Sequence, residues 1–224
     1  MKETKQNQKL LECIPKIEQS RLLYLIELEQ KIQAKGFSRI AGIDEAGRGP
    51  LAGPVVAAAT VFRKQVFFSG LNDSKLLTPS KRKALYQDII QHPDLDYATG
   101  IVEPLVIDEI NILQATLYAM RKAVESLSEQ PDYLLIDGNV NLHIENIQSE
   151  ALIRGDQRSQ LIAASSIIAK ETRDKLMMDY HRLYPEYGFD QHKGYGTKKH
   201  CLALAKYGPS PIHRKTFHLK KKYD

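Results

Sequence analysis

RIAGIDEAGRGPLAGPVVAAATVF, residues 39–62, decides how this chain is read. Arg39 to Asp44 is short and largely apolar, and reads as a strand. Gly47 to Pro54 is rich in Gly and Pro, and reads as a turn. Val55 to Phe62 is an apolar, β-branched run, the pattern of a buried strand. Two strands joined this closely are expected to pair antiparallel inside a sheet. Two acids, Asp44 and Glu45, stand where the first strand runs out. Alternation would send their side chains to opposite faces. The expectation is therefore that the strand ends or twists there, so that both reach one site.

Working outward, Tyr97 to Val102 reads as a third strand and Tyr133 to Ile136 as a fourth, ending at Asp137. A short strand over Ala151 to Ile153 ends near Gly155-Asp156. Helices are predicted over residues 17–35, with Ile17, Leu22, Leu25, Ile26 and Ile32 as its stripe and Gly36 as its C-cap, and over Pro79 to Ile90. A longer one carries Ile110, Leu113, Leu117, Met120, Val124 and Leu127 at steps of three and four, and another runs from about Ser159 to Tyr184. A short helix and a basic tail complete the chain. The order predicts an α/β protein with a mixed sheet flanked by helices. Residues 1–36 are expected to form a polar segment plus helix, and 37–224 one domain whose last part, from about 185, is helical and basic.

Bulk properties narrow the class. The 224 residues suit one domain, and 42% apolar with 26% charged suits a soluble fold. No run approaches the ~20 apolar residues of a membrane helix, and Met1 to Leu10 lacks the apolar stretch of a signal peptide. A cytoplasmic protein without membrane contact is expected. Cys13 and Cys201 fit neither a zinc site nor a disulfide framework and read as reduced thiols. The net charge is +5, yet Lys198 to Asp224 alone holds eight Lys/Arg against one acid. A basic tail suits a polyanionic partner or simply a solvated end.

Asp44, Glu45, Asp137 and Asp156 are the candidate chemical residues. If the first and fourth strands are neighbours, Asp44 and Asp137 lie within reach of one ion. Carboxylates so close repel unless a cation sits among them, and oxygen ligands alone favour Mg²⁺ or Mn²⁺ over zinc. Each acid taken singly reads more readily as a turn former or helix cap, and the adjacent pair Asp44-Glu45 less so. Gly47, Arg48 and Gly49 offer backbone and a guanidinium to a phosphate or ribose. Tyr195, between glycines in HKGYGT (192–197), can stack on a sugar or base. Lys75, Lys170, Lys193 and Arg173 are phosphate-contact candidates. The late histidines, His192, His200, His213 and His218, lack tight metal-ligand spacing.

Taken together, GIDEAGRGPLAGP (42–54), LNDSK (71–75), IDEINILQAT (107–116), IDGN (136–139), GD (155–156), AAS (163–165), HKGYGT (192–197) and PIHR (211–214) resemble bacterial ribonuclease HII, the type 2 ribonucleases H, over about residues 39–217. The resemblance implies a ribonuclease H-like fold with a helical C-terminal portion. It implies a metal-dependent endonuclease that cuts the RNA strand of RNA–DNA hybrids and nicks 5′ of single ribonucleotides in duplex DNA, leaving a 3′-hydroxyl and a 5′-phosphate. By motif match, Asp44, Glu45, Asp137 and Asp156 would hold two divalent ions. Gly47, Arg48 and Gly49 would read the 2′-hydroxyl, and Tyr195 would stack on the following sugar. A monomer is expected, with DNA or a sliding clamp as candidate partners of the tail. Leu76, Ser165 and Glu171 depart from the family pattern. The rival readings are a nuclease of the same fold for other DNA structures, or a non-catalytic nucleic-acid-binding protein.

Overall fold

The computed structural model describes residues 14–217 apart from 72, 73, 75 and 76. Lys75, Leu76, His218 and the last part of the basic tail, with the clamp contact expected of it, lie outside the described residues. The sheet has five strands: β1 (Ile40–Ala46), β2 (Val55–Phe62), β3 (Leu95–Val102), β4 (Tyr133–Asp137) and β5 (Gln148–Leu152). Their spatial order is β3-β2-β1-β4-β5. The closely connected β1, β2 and β3 pair antiparallel, while β4 lies parallel to both β1 and β5. The mixed sheet expected from the sequence is the one observed.

Helices cover both faces: α1 (Lys16–Gln33), α2 (Pro79–Ile90), α3 (Pro104–Glu125) and α4 (Gln160–Leu183), followed by a single turn α5 (Phe189–His192) and α6 (Lys198–Tyr207). β2 needs no polar face because it is buried on both sides. Its Ala57, Ala59 and Val61 pack in the α3 core, and the intervening Ala58 packs with Ala163, Ala164, Ile167 and Ile168 of α4. Small residues let the helices come close. A Cβ on Gly42 of β1 would lie 2.3 Å from the Leu161 backbone of α4, and one on Gly100 of β3 1.9 Å from the Ala119 carbonyl of α3. A separate small core of Ala52, Met177, Tyr187, Phe189, Ala203 and Ile212 joins the C-terminal portion to the β1–β2 turn.

α1 is fastened by a carboxylate. Glu29 Oε1 accepts from the Ser159 hydroxyl at 2.7 Å and the Leu161 amide at 3.3 Å, so α1 caps the start of α4. Glu29 is buried, and burial pushes its carboxyl up to about 7 against these stabilising bonds. Its Oε2 is buried without a hydrogen-bond partner among the described residues.

Several predicted boundaries move. β1 does not end at Asp44: Glu45 and Ala46 remain paired with Ala57 and Val56 of β2. β3 starts at Leu95, and β5 covers Gln148–Leu152, leaving Ile153 69% exposed. Ile17 is 89% exposed and does not join the buried face of α1, where Glu29 takes a place instead. The cap of α1 is Ala34; Gly36, at φ 101°, turns the chain two residues later. α3 begins at Pro104 and breaks at Asn111, whose Oδ1 accepts from the amides of Leu113 and Gln114. Leu113 of the expected stripe is left outside, whereas Met120 and Val124 are buried with Ala115, Thr116, Ala119 and Ala123, Leu127 is buried just beyond the helix, and Ile110 and Leu117 pack against the same core. Among the described residues no helix is long and apolar enough to cross a membrane.

Candidate active site at the ends of β1 and β4

Parallel pairing aligns Ile43 with Ile136, so the next residues along, Asp44 and Asp137, stand side by side where that pairing stops, Asp137 as the last residue of β4 and Asp44 two residues before the end of β1. Asp44 is buried. Burial pushes its carboxyl well above the ordinary range, and the negative charges of Glu45 and Asp137 push it further. Bonds from the Ser166 hydroxyl and the Glu45 amide, the latter at 2.7 Å, oppose that shift. Ser166 Oγ in turn meets Ser74 Oγ at 2.8 Å, tying the site to the segment before α2. Glu45 also forms a 3.4 Å ion pair with Arg48.

Asp137 Oδ1 accepts from the Gly155 amide at 2.7 Å. Gly155 opens a one-turn 3-10 segment, Gly155–Gln157, in which Asp156 is buried. Ser159 then caps α4 by accepting from the Ile162 amide. One bond thus joins the end of β4 to the turn that carries Asp156. Among the described residues no three His, Cys, Asp or Glu side chains stand close enough to cage an ion as placed. The donor set nonetheless fits a hard divalent cation: it is oxygen only, and buried Asp44 is raised first by burial and then by two neighbours whose repulsion a cation would cancel.

The Gly47–Pro54 turn is held from beneath by two buried arginines. Arg173 of α4 donates to the carbonyls of Pro54, Lys193 and Ala52 at 2.9, 3.0 and 3.1 Å. Arg214 donates to those of Gly47, Arg48 and Gly53 at 2.6–3.0 Å. Gly47, at φ 99°, has no room for a side chain, since a Cβ would fall 2.1 Å from Arg173 Nε. The HKGYGT loop abuts the same turn: the Leu51 amide donates to the Gly194 carbonyl at 2.8 Å. A Cβ on Gly49 would lie 3.8 Å from the Tyr195 ring, which is 45% exposed. Arg48, Gly49 and Tyr195 therefore form one surface, with the Arg48 side chain half exposed, while Gly47 is buried beneath it against Arg173 and Arg214.

The cations divide differently from expectation. Arg173 is buried and fully engaged with backbone, so it is a clamp and not a phosphate contact. Lys170 pairs with Asp174 at 2.7 Å, within a group that includes Arg82 and Glu171. The Lys193 ammonium bonds the Asp190 carbonyl of its own loop. Ser165, one of the departures from the family pattern, bridges the Gly42 carbonyl and Thr60, and Glu171, another, pairs with Arg82. Sequence reasoning passed over Ser166 and quoted Ser74 and Arg214 only as motif residues, without a role. A serine next to AAS carries no signal of its own, and a buried arginine reads as tail charge.

With this geometry in hand, the comparisons are informative. The family model described as Ribonuclease HII matches residues 41–220. A ribonuclease HII of Chlamydia pneumoniae is 51% identical over 197 residues, 88% of this chain and 91% of that protein. Among solved structures, the ribonuclease H2 of Pyrococcus horikoshii OT3 is 30% identical with a TM-score of 0.64, covering 80% of this chain and 93% of that one. The RNase HII in a PCNA complex from Archaeoglobus fulgidus, 22% identical, has the same fold at a TM-score of 0.65 over 82% and 97% of the two chains.

Proposed function

Because the chain belongs to the ribonuclease HII family and is an endoribonuclease, we propose that it cuts the RNA strand of RNA–DNA hybrids and nicks duplex DNA on the 5′ side of single ribonucleotides. The observation that carries the proposal is the buried Asp44, loaded by its neighbour Glu45 and by Asp137 at the end of the adjacent strand β4. Asp44, Glu45, Asp137 and Asp156 would hold two divalent cations, Mg²⁺ or Mn²⁺. When bound, such ions supply a more acidic water and offset charge on the departing 3′ oxygen. The products are a 3′-hydroxyl and a 5′-phosphate.

The protein's own groups do the selecting. Backbone of Gly47 and Gly49 approaches the 2′-hydroxyl, and the half-exposed Arg48 meets the phosphate. Tyr195, beside Gly49, stacks on the following sugar. Because two arginines fix this turn before any ligand arrives, recognition loses little to ordering. Lys75, Lys170 and Lys193 are weaker candidates for backbone contacts. The basic tail beyond Lys198 would meet DNA, or a sliding clamp, and the chain would act as a monomer.

The test is a labelled DNA duplex with one ribonucleotide, beside an all-DNA control, in Mg²⁺, in Mn²⁺ and in chelator. A single metal-dependent nick 5′ of the ribonucleotide, absent from the control, is expected. Equal cutting of the control would restore the reading of a nuclease for other DNA structures, and binding without cutting that of a non-catalytic protein.

A further inference from the structure

Three histidines take no part in the site described above, yet they are buried together beneath it. His192, His200 and His213 come from α5, α6 and the segment before Arg214, and His200 is 0% exposed. The His192 and His200 rings stack at 4.5 Å, and Phe189 stands edge-on to both. Among the described residues no group of three His, Cys, Asp or Glu is suited to a metal. The rings are instead committed to hydrogen bonds.

Those bonds fix where every ring proton sits. The Ser210 amide can only donate, and it donates to His213 Nδ1 at 2.8 Å. The proton of neutral His213 is therefore on Nε2, which faces His200 Nε2 at 2.9 Å. His200 Nε2 must accept, so His200 carries its proton on Nδ1. That nitrogen lies 3.0 Å from the Tyr195 carbonyl, which can only accept. Followed from either end, the chain gives the same tautomers. His192 agrees: its Nδ1 accepts from the Gly194 amide at 3.3 Å, and its Nε2 donates to the Tyr187 carbonyl at 2.8 Å. Burial holds all three below the ordinary imidazole range, His200 down to about 4, which keeps them neutral as this arrangement requires.

The relay ends on the backbone of the residue whose ring lies against Gly49. We propose that His200 is a positioning residue for substrate selection: its Nδ1–H grips the Tyr195 carbonyl and so sets the Tyr195 ring against the Gly47–Gly49 turn, with His213 and Ser210 enforcing the tautomer. The inference rests on the role given above to Tyr195. It explains why buried polar rings occupy a core that Phe or Leu would otherwise fill.

The test uses the geometry of amides. An Asn at this position offers a donor near where Nδ1–H stands, and a Gln offers one near Nε2 instead. His200→Asn, His200→Gln and Tyr195→Ala would be compared with the parent protein for kcat and KM on a single-ribonucleotide duplex and on a long RNA–DNA hybrid. The expected result is that His200→Asn keeps the parent ratio of the two activities. His200→Gln and Tyr195→Ala should both lower it, by about tenfold, the scale of one lost aromatic stack. Equal effects of Asn and Gln, or no effect of Gln while Tyr195→Ala lowers the ratio, would overturn the role of His200 alone. An unchanged ratio in Tyr195→Ala would overturn the reading of Tyr195 and the inference with it. If the His200 variants do not fold, His213→Gln, which keeps a donor towards His200, against His213→Phe, which does not, gives the same contrast.

Discussion

Asp44 sits where two requirements conflict. Folding buries it beside Glu45 and Asp137, which raises the cost of its charge, while the proposed chemistry needs that charge. Replacing it with Asn should separate the two. Asp44→Asn is expected to lose at least about 10²- to 10³-fold in cleavage, the scale of several kcal/mol of charge stabilisation. In chelator the same variant should be more stable than the parent by about 1–2 kcal/mol, because a desolvated, repelled carboxylate has gone. Cleavage assays and urea titrations with and without Mg²⁺ check both halves; equal activity would remove Asp44 from the site. At this scale the sequence was informative where hydrophobicity breaks. Asp44 and Asp137 stand out because an apolar stretch runs into an acid at each. Arg173 did not, since no local pattern separates a helix arginine that faces solvent from one aimed at three carbonyls.

The turn from Gly47 to Pro54 has few ways to order itself. Its carbonyls point inward, and Arg173 and Arg214 answer them with planar, forked donors. Lysine cannot imitate that fork. Arg214→Lys should therefore lose bonds to several of the Gly47, Arg48 and Gly53 carbonyls, costing about 2–4 kcal/mol of stability, with nicking weakened further because the turn loosens. Urea denaturation beside the nicking assay measures each; a midpoint within error of the parent would refute the clamp. Strands and long helices were legible in the sequence because burial imposes a period on them. The end of β1 and the start of β3 were misjudged because pairing with β2 continues through an acid in each, Glu45 and Asp96. The exposure of Leu113 was missed because the cap at Asn111 interrupts the helix just before it, and periodicity alone carries no trace of that.

Over the whole molecule, buried titratable groups pull stability in opposite directions. His200 is held near 4, so below about 6.5 the unfolded chain takes up a proton that the folded one refuses, and stability falls as pH drops from about 6.5 to about 4. Glu29 is held near 7, so above about 4.5 the unfolded chain releases a proton that the folded one retains, and stability falls as pH rises from about 4.5 to about 7. Glu29→Gln removes the second slope only. Its advantage over the parent is expected to be absent below pH 4.5 and to grow to about 3 kcal/mol above pH 7. Urea midpoints across that range test it, and curves that stay parallel would refute it.

The Arg214 bonds to Gly47 and Arg48 join positions 167 and 166 residues apart. During synthesis from the N-terminus, β1, β2 and the acids emerge long before the arginine that completes the turn between those strands. A nascent chain can therefore pair its strands and still lack a finished recognition surface. The proposed competence to select a substrate therefore waits until synthesis has passed Arg214, and a chain released before that point is expected to pair strands without finishing the turn.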